Sequence, residues 1–313
     1  MPKHSVSLKV DENTTLFGHV WSPESRSSIP AVVVLLHGMG EHIGRYESFA
    51  QVLNREGYVV YGHDQRGHGK TGEATTSHGY LGPNGFQQLV DDAAQMVHLV
   101  KDAHPNVPVV LFGHSMGSFV AQSFLSRHAG KIDACVLCGS NGPEGRLLLV
   151  ARYLAKRYAR KFGVHAESKL LTKLTFGAYN RAFRPNRTPF DWLTRDTDAL
   201  QAYLSDSQCG FPLSAASMHD MFTELGEIFR RERMSQIPRD LPIFIIAGEA
   251  DPVGHQGKGI YRLIDVYRKA GLTAVSYRIY PQARHELLHE INRETVYQDI
   301  LAWLDSAVRD KLA

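Results

Sequence analysis

Cysteine is scarce: Cys135, Cys138 and Cys209 are all that 313 residues contain. So small and odd a set excludes a secreted-type disulfide framework and points to a reducing, cytoplasmic setting. Cys135 and Cys138 do spell C-x-x-C, but inside the apolar run "ACVLC". A redox pair opens a helix, so two core positions of a strand are expected instead. Long apolar runs are missing too. The opening "MPKHSVSLKVDENTTL" has no apolar signal region, and the nearby run from Ala31 to Leu36 falls far short of the ~20 residues a membrane span needs. Charge of one sign is also weak overall, at +3, which argues against nucleic acid as a partner. No repeat or low-complexity segment breaks the chain.

What the chain has is alternation. Val6, Leu8 and Val10 alternate with polar residues, and "TLFGHVW" follows the turn residues Asp11 to Thr14, which reads as a hairpin with one solvated face. Then "AVVVLL" (31–36), "YVVYG" (58–62), "VVLF" (109–112), "ACVLC" (134–138), "IFIIAG" (243–248) and "VSYRIY" (275–280) are short continuous runs, expected of strands buried on both faces. Helical patterns at 46–55, 86–102, 118–128, 259–270 and 295–308 lie between or after them. Strand and helix in this order predict an α/β fold, a mostly parallel sheet flanked by helices.

The alternation fails from 139 to 239, about a hundred residues with helical texture and no convincing strand. Because the sheet resumes afterwards, this segment is expected to be a helical cap inserted into a core made of 1–138 and 240–313. Acidic residues are scarce in its first half. Residues 146–195 carry twelve Lys or Arg against Glu167 and Asp191, an excess of +10. In "RLLLVARYLAKRYARKF" the spacing puts Leu147, Val150, Leu154 and Tyr158 on one helical face and Arg152, Lys156 and Arg160 opposite. Such a basic amphipathic helix suits peripheral contact with an anionic membrane, and equally an ordinary solvated cap face.

The chemistry centres on "VVLFGHSMGSFVAQSFLSRH". G-x-S-x-G alone is a weak signal, but a strand before and a helix after make it a nucleophile elbow, with Ser115 exposed at a helix N-terminus. A serine hydroxyl needs a base, and the base an orienting acid, in the chain order Ser, acid, His. Asp251 follows the strand "IFIIAG" and His285 follows "VSYRIY", both at strand C-terminal ends where open α/β sheets place their sites. Glu249 is the rival acid, and His255 and His289 are the rival bases. The oxyanion needs two backbone donors, expected from Met116 and from Met39 in the glycine-rich "HGMG" turn. "HELLH" (285–289) matches a zinc-protease motif, but it follows a strand and Pro281 too closely to be a helix, and that reading leaves the elbow and Asp251 unexplained.

"HGMGEHIGRYESFA", "GHDQRGHGKT", "GHSMGS", "AGEADPV" and "ARHE" together resemble the monoacylglycerol lipase and lysophospholipase branch of the serine α/β-hydrolases, over roughly 31–141 and 241–310. The resemblance implies Ser115, Asp251 and His285 as a catalytic triad, Met39 and Met116 as the oxyanion hole, and no metal or organic cofactor. His63, Asp64 and His68 are competent ligands, but the resemblance makes theirs a structural loop, and Glu41 and His42 are expected to brace the oxyanion turn. The substrate class implied is a single-chain lipid ester. A serine aminopeptidase of the same fold is the enzymatic alternative, and a non-catalytic binding protein on that fold the alternative of another class.

Overall fold

The computed structural model describes residues 2–24, 28–75 and 78–309. In it the apolar runs form one eight-stranded sheet, ordered β1-β2-β4-β3-β5-β6-β7-β8. The hairpin of β1 (Lys3–Lys9) and β2 (Thr15–Trp21) is antiparallel, and β2 also runs antiparallel to β4 (Val59–His63). The rest is parallel: β3 (Val32–Leu36) pairs with β4 and with β5 (Val109–His114), followed by β6 (Ala134–Cys138), β7 (Ile243–Gly248) and β8 (Val275–Tyr280).

Side chains alternate across each inner strand, so the sheet supports two apolar layers. One layer joins Val34, Leu111, Leu137 and Ile245 to α3 (Gly85–Ala103) and α4 (Met116–His128). The other joins Leu35, Phe112, Val136 and Ile246 to α1 (Glu47–Arg55) and to the C-terminal helix. Cys135 and Cys138 point one to each layer, fully buried in β6. Burying each such Val, Leu or Ile side chain contributes about 1.5–3 kcal/mol. The strand "VSYRIY" departs from the expectation of two-sided burial. As β8 it is the sheet's edge, and Tyr277 and Arg278 are exposed.

One helix lay hidden in the glycine-rich loop after β4: α2 (Gly69–Thr75). Between β6 and β7 come α5 (Leu147–Phe162), α6 (Lys169–Phe176), α7 (Thr197–Ser205), α8 (Ala215–Glu227) and α9 (Arg231–Met234). The core ends with α10 (Lys258–Lys269) and α11 (Arg293–Arg309). α8 packs on α3, and its Met218, Met221 and Phe222 extend the first apolar layer. α5 lies along α8, and its apolar surface divides differently from the expected face. Leu154 and Tyr158 of that face pack with the core, joined by Leu148, Ala151, Ala155 and Ala159, whereas Leu147 and Val150 are 73% and 52% exposed.

The hairpin is anchored from inside. Buried Arg66, in the loop after β4, donates from Nε and Nη2 to Asp92 of α3 at 2.6 and 2.9 Å, from Nη1 to the Thr14 hydroxyl at 3.0 Å, and from Nη2 to Asp11 at 2.7 Å. Removing one partner of a buried ion pair leaves the other charge uncompensated. Asp92→Ala is therefore expected to destabilise the fold by about 3–5 kcal/mol, read as a lower denaturant midpoint, with Arg66→Met/Asp92→Leu recovering part of the loss.

Candidate active site

The turn from β5 into α4 is where two glycines become obligatory. A Cβ on Gly113 would lie 2.3 Å from the Gly117 carbonyl oxygen, and one on Gly117 would lie 2.2 Å from that of Leu36. The helix thus packs directly on the strand before it and on the end of β3. Ser115, between them, takes φ 52° and ψ −119°, a sparsely populated region for a residue with a side chain. The turn lifts its Oγ out of the sheet at the α4 N-terminus.

His285 meets it there. The Ser115 hydroxyl and His285 Nε2 are 2.8 Å apart, and His285 Nδ1 is 2.9 Å from Asp251 Oδ2. With a carboxylate at Nδ1, that nitrogen carries the proton, and Nε2 is left to accept the serine's. Asp251 lies beyond β7, fully buried, its other oxygen accepting the Val253 N–H at 2.8 Å. Of the rivals, Glu249 is exposed and accepts the Gln282 N–H; His255 faces Glu144; His289 packs its ring against Tyr46. "HELLH" does not converge on one point. His285 faces Ser115, Glu286 takes Arg45, and Leu287–His289 form a single 3-10 turn.

Met39 and Met116 line the same cavity as Ser115 and His285, and neither amide has an acceptor among the described residues. The turn that carries Met39 is braced from below. Glu41 Oε1 accepts the Gly38 N–H at 2.6 Å and the Tyr46 hydroxyl at 2.9 Å. Its other oxygen accepts from Arg45 at 2.5 Å, and Arg45 also makes a two-pronged contact with Glu286, at 2.7 and 2.8 Å. All three charged side chains are nearly inaccessible. From the segment between α6 and α7, Trp192 stacks at a tilt 5.0 Å from the His285 ring, and the Leu193 carbonyl accepts the Glu286 N–H at 2.7 Å. Sequence spacing gave no hint of Arg45 or Trp192, and offered Glu286 only as the glutamate of the "HELLH" match. "GRYE" put the arginine beside the turn, but its partner lies 241 positions away.

The loop holding His63, Asp64 and His68 is structural in its bonding. Asp64 accepts the Ile43 and Lys70 N–H groups, each at 2.9 Å, and His68 Nδ1 contacts the Arg66 carbonyl. Burial holds both histidines neutral, with pKa pushed down to about 3. His114, 4.9 Å from the His285 ring, is likewise driven to about 4 by burial and by the charge His285 can carry.

Over Ser115 opens a cavity of about 1030 Å³. Its walls are mostly apolar, including Leu148, Leu154, Phe176, Phe211, Met221 and Phe222. Polar residues among the lining include Asn141, Glu144 and His255. A half-buried Oγ backed by a buried imidazole and carboxylate, with the Met39 and Met116 amides lining the same cavity, can carry out nucleophilic acyl transfer.

Burial lowers the pKa of His285, but the Asp251 carboxylate, with Glu286 and Glu41 farther off, outweighs it, so the net value is raised above 6.5. A general base must be neutral. The acid limb of kcat/KM should therefore fall at a pH above that ordinary imidazole value, because the imidazolium cannot accept the Ser115 proton. Asp251→Asn should move the limb to lower pH and cut kcat by about 10³–10⁴-fold; a limb that stays put in that variant would separate Asp251 from His285.

A family model described as "Serine aminopeptidase, S33" matches residues 27–292. The chain is 27% identical over 292 residues to a monoacylglycerol lipase of Mycolicibacterium smegmatis, covering 92% of this chain and 91% of that one. It is 29% identical over 297 residues to the monoglyceride lipase of Rattus norvegicus, covering 88% and 85%. A thermostable carboxyl esterase from Bacillus coagulans, solved with glycerol, superposes with a TM-score of 0.89 at 25% identity, over 98% of this chain and 99% of that one.

Proposed function

From the premise that the chain belongs to the serine aminopeptidase S33 family of the α/β-hydrolases, we propose that it is a serine carboxylester hydrolase acting on single-chain acyl lipids, monoacylglycerol or lysophospholipid. The observation that carries this reading is the Ser115–His285–Asp251 chain at the base of a large and mainly apolar cavity. Residues 139–239 act as its cap. Their apolar side chains offer an acyl chain an environment removed from water, where each buried methylene contributes about 0.8 kcal/mol.

In the proposed reaction Ser115 Oγ attacks the ester carbonyl while His285 Nε2 takes its proton. The Met39 and Met116 amides receive the oxyanion, and Asp251 stabilises the imidazolium. Collapse breaks the bond to the alcohol, which leaves with the proton from His285. Water attacks the acyl-enzyme by the same route in reverse, giving the fatty acid and free Ser115.

The aminopeptidase reading has one feature in its favour, the carboxylates in the cavity wall. Glu41 and Glu286 are already neutralised by Arg45, which leaves Glu144, bonded to Asn141 and His255, and the exposed Glu167 as the carboxylates that could serve a free amine. Hydrolysis of monoacylglycerols and lysophospholipids should exceed that of aminoacyl amides. A fluorophosphonate probe should label the wild type but not Ser115→Ala, and ester hydrolysis unchanged in that variant sinks the mechanism.

The cap also supports peripheral contact with an anionic lipid surface. No helix among the described residues is long and apolar enough to cross a membrane. Leu147, Val150 and Leu174 are half or more exposed while lining the cavity. Around them Leu149, Tyr153, Phe162 and Leu170 are exposed without lining it, among Lys156, Arg157, Arg160 and Lys161. Vesicles containing phosphatidylserine should bind the protein, and Leu149→Ser/Leu170→Ser should weaken that binding several-fold with soluble-ester hydrolysis preserved; equal binding to uncharged vesicles would remove the basic residues from the account.

A further inference from the structure

Three side chains that the proposed chemistry leaves unused converge beside the oxyanion turn. His42, Asp206 and Cys209 each present a ligand atom, and these atoms lie within 4.8 Å of one another. None of the three residues lines the cavity. His42 Nε2 is 2.9 Å from Asp206 Oδ2. Its Nδ1 accepts the Gly44 N–H at 3.2 Å, so the ring proton sits on Nε2, toward the carboxylate. Asp206 Oδ1 is occupied by the Gln208 N–H at 2.8 Å, which leaves Oδ2 to the cluster. The His42 and Asp206 side chains are 18% and 33% exposed, and Cys209 is a free, half-buried thiol. An ion can reach them.

Imidazole nitrogen, carboxylate oxygen and thiol sulfur are the donors zinc takes, at about 2.0, 2.0–2.2 and 2.3 Å. A tetrahedral centre with such bonds needs ligand atoms roughly 3.3–3.5 Å apart, so the cluster closes with small side-chain shifts. Asp206 supplies a carboxylate among the three ligands, while the nearby Glu41 and Glu286 carboxylates are paired with Arg45.

We propose that His42, Asp206 and Cys209 form a Zn²⁺ site joining the turn after β3 to the segment after α7. The ion bonds His42 Nε2, Asp206 Oδ2 and Cys209 Sγ, with water as fourth ligand. The His42 ring proton moves to Nδ1, giving up the Gly44 N–H contact, and the thiol proton leaves to solvent. Zinc, thiolate and carboxylate then sum to zero charge beside a neutral imidazole. The site's place gives it a consequence for the turn that carries Met39. The Gly40 carbonyl already accepts the Gly210 N–H at 2.9 Å and the Tyr203 hydroxyl at 3.1 Å. A bound ion adds a third tie between that turn and the stretch from α7 to Gly210.

The test is a metal titration of the whole, chelator-stripped protein. Wild type should bind one equivalent of Zn²⁺, with a thermal midpoint raised by a few degrees, because an ion that binds only the folded state stabilises it. Co²⁺ in its place should give thiolate-to-cobalt charge-transfer absorption. That band reports Cys209, because Cys135 and Cys138 are fully buried in β6. Cys209→Ser should abolish the band, and both it and Asp206→Asn should weaken zinc binding by tenfold or more, with metal-free ester hydrolysis by Cys209→Ser showing that the variant is folded. Absence of the band in the wild type overturns the site whatever the variants do. Zinc affinity unchanged in a folded Cys209→Ser protein overturns it equally, and would assign the ion to other histidines.

Discussion

Arg45 is the interaction on which the arrangement around Ser115 depends. Its guanidinium is held between Glu41, under the turn that carries Met39, and Glu286, the residue after His285. Two loops that belong to opposite ends of the sequence are thereby fixed to one rigid planar group. Two buried carboxylates against one buried cation would be unfavourable in isolation. The Gly38 N–H, the Tyr46 hydroxyl and the Leu193 carbonyl that holds the Glu286 backbone offset this by satisfying the remaining polar atoms. The aromatic face of Tyr203 lies 4.8 Å from the guanidinium and closes the remaining side. Lysine could not serve here, because the two-pronged contact with Glu286 requires a fork.

A second constraint is steric. Gly113 and Gly117 let α4 descend onto β3 and β5, and the strain at Ser115 is what a turn so tight requires. The hydrogen bond from Ser115 N–H to the Cys138 carbonyl at 2.9 Å helps hold that conformation against relaxation. Position and orientation of Oγ are thus set by backbone packing, and the polar partners need only approach it.

Much of this was legible in the chain. β7 and β8 fall on the residues read from "IFIIAG" and "VSYRIY", since apolar runs bounded by polar loops leave little freedom of assignment. Ser115, Asp251 and His285 were legible as strand-end residues because the order of a parallel sheet brings its C-terminal ends together. Other features depend on tertiary placement alone. That β8 is an edge follows from strand order, to which its composition is indifferent. The division of α5 between core and cavity turns on which residues meet α8. The Arg45–Glu286 and His42–Asp206 contacts span 241 and 164 positions, distances over which no local pattern carries a signal.

Two of the helices that line the cavity, α5 and α8, are anchored unequally. α8 is set into the protein by Met218, Met221 and Phe222, bulky side chains that would each surrender a large apolar area if the helix lifted. α5 has a single fully buried residue, Ala155, and otherwise rests on half-buried side chains, Leu148, Ala151, Leu154, Tyr158 and Ala159. Half-buried side chains give up less apolar surface on separation than fully buried ones, so parting costs less along α5 than along α8. Opening the cavity along its α5 wall would accordingly cost less than along its α8 wall, because fewer fully buried side chains would have to part.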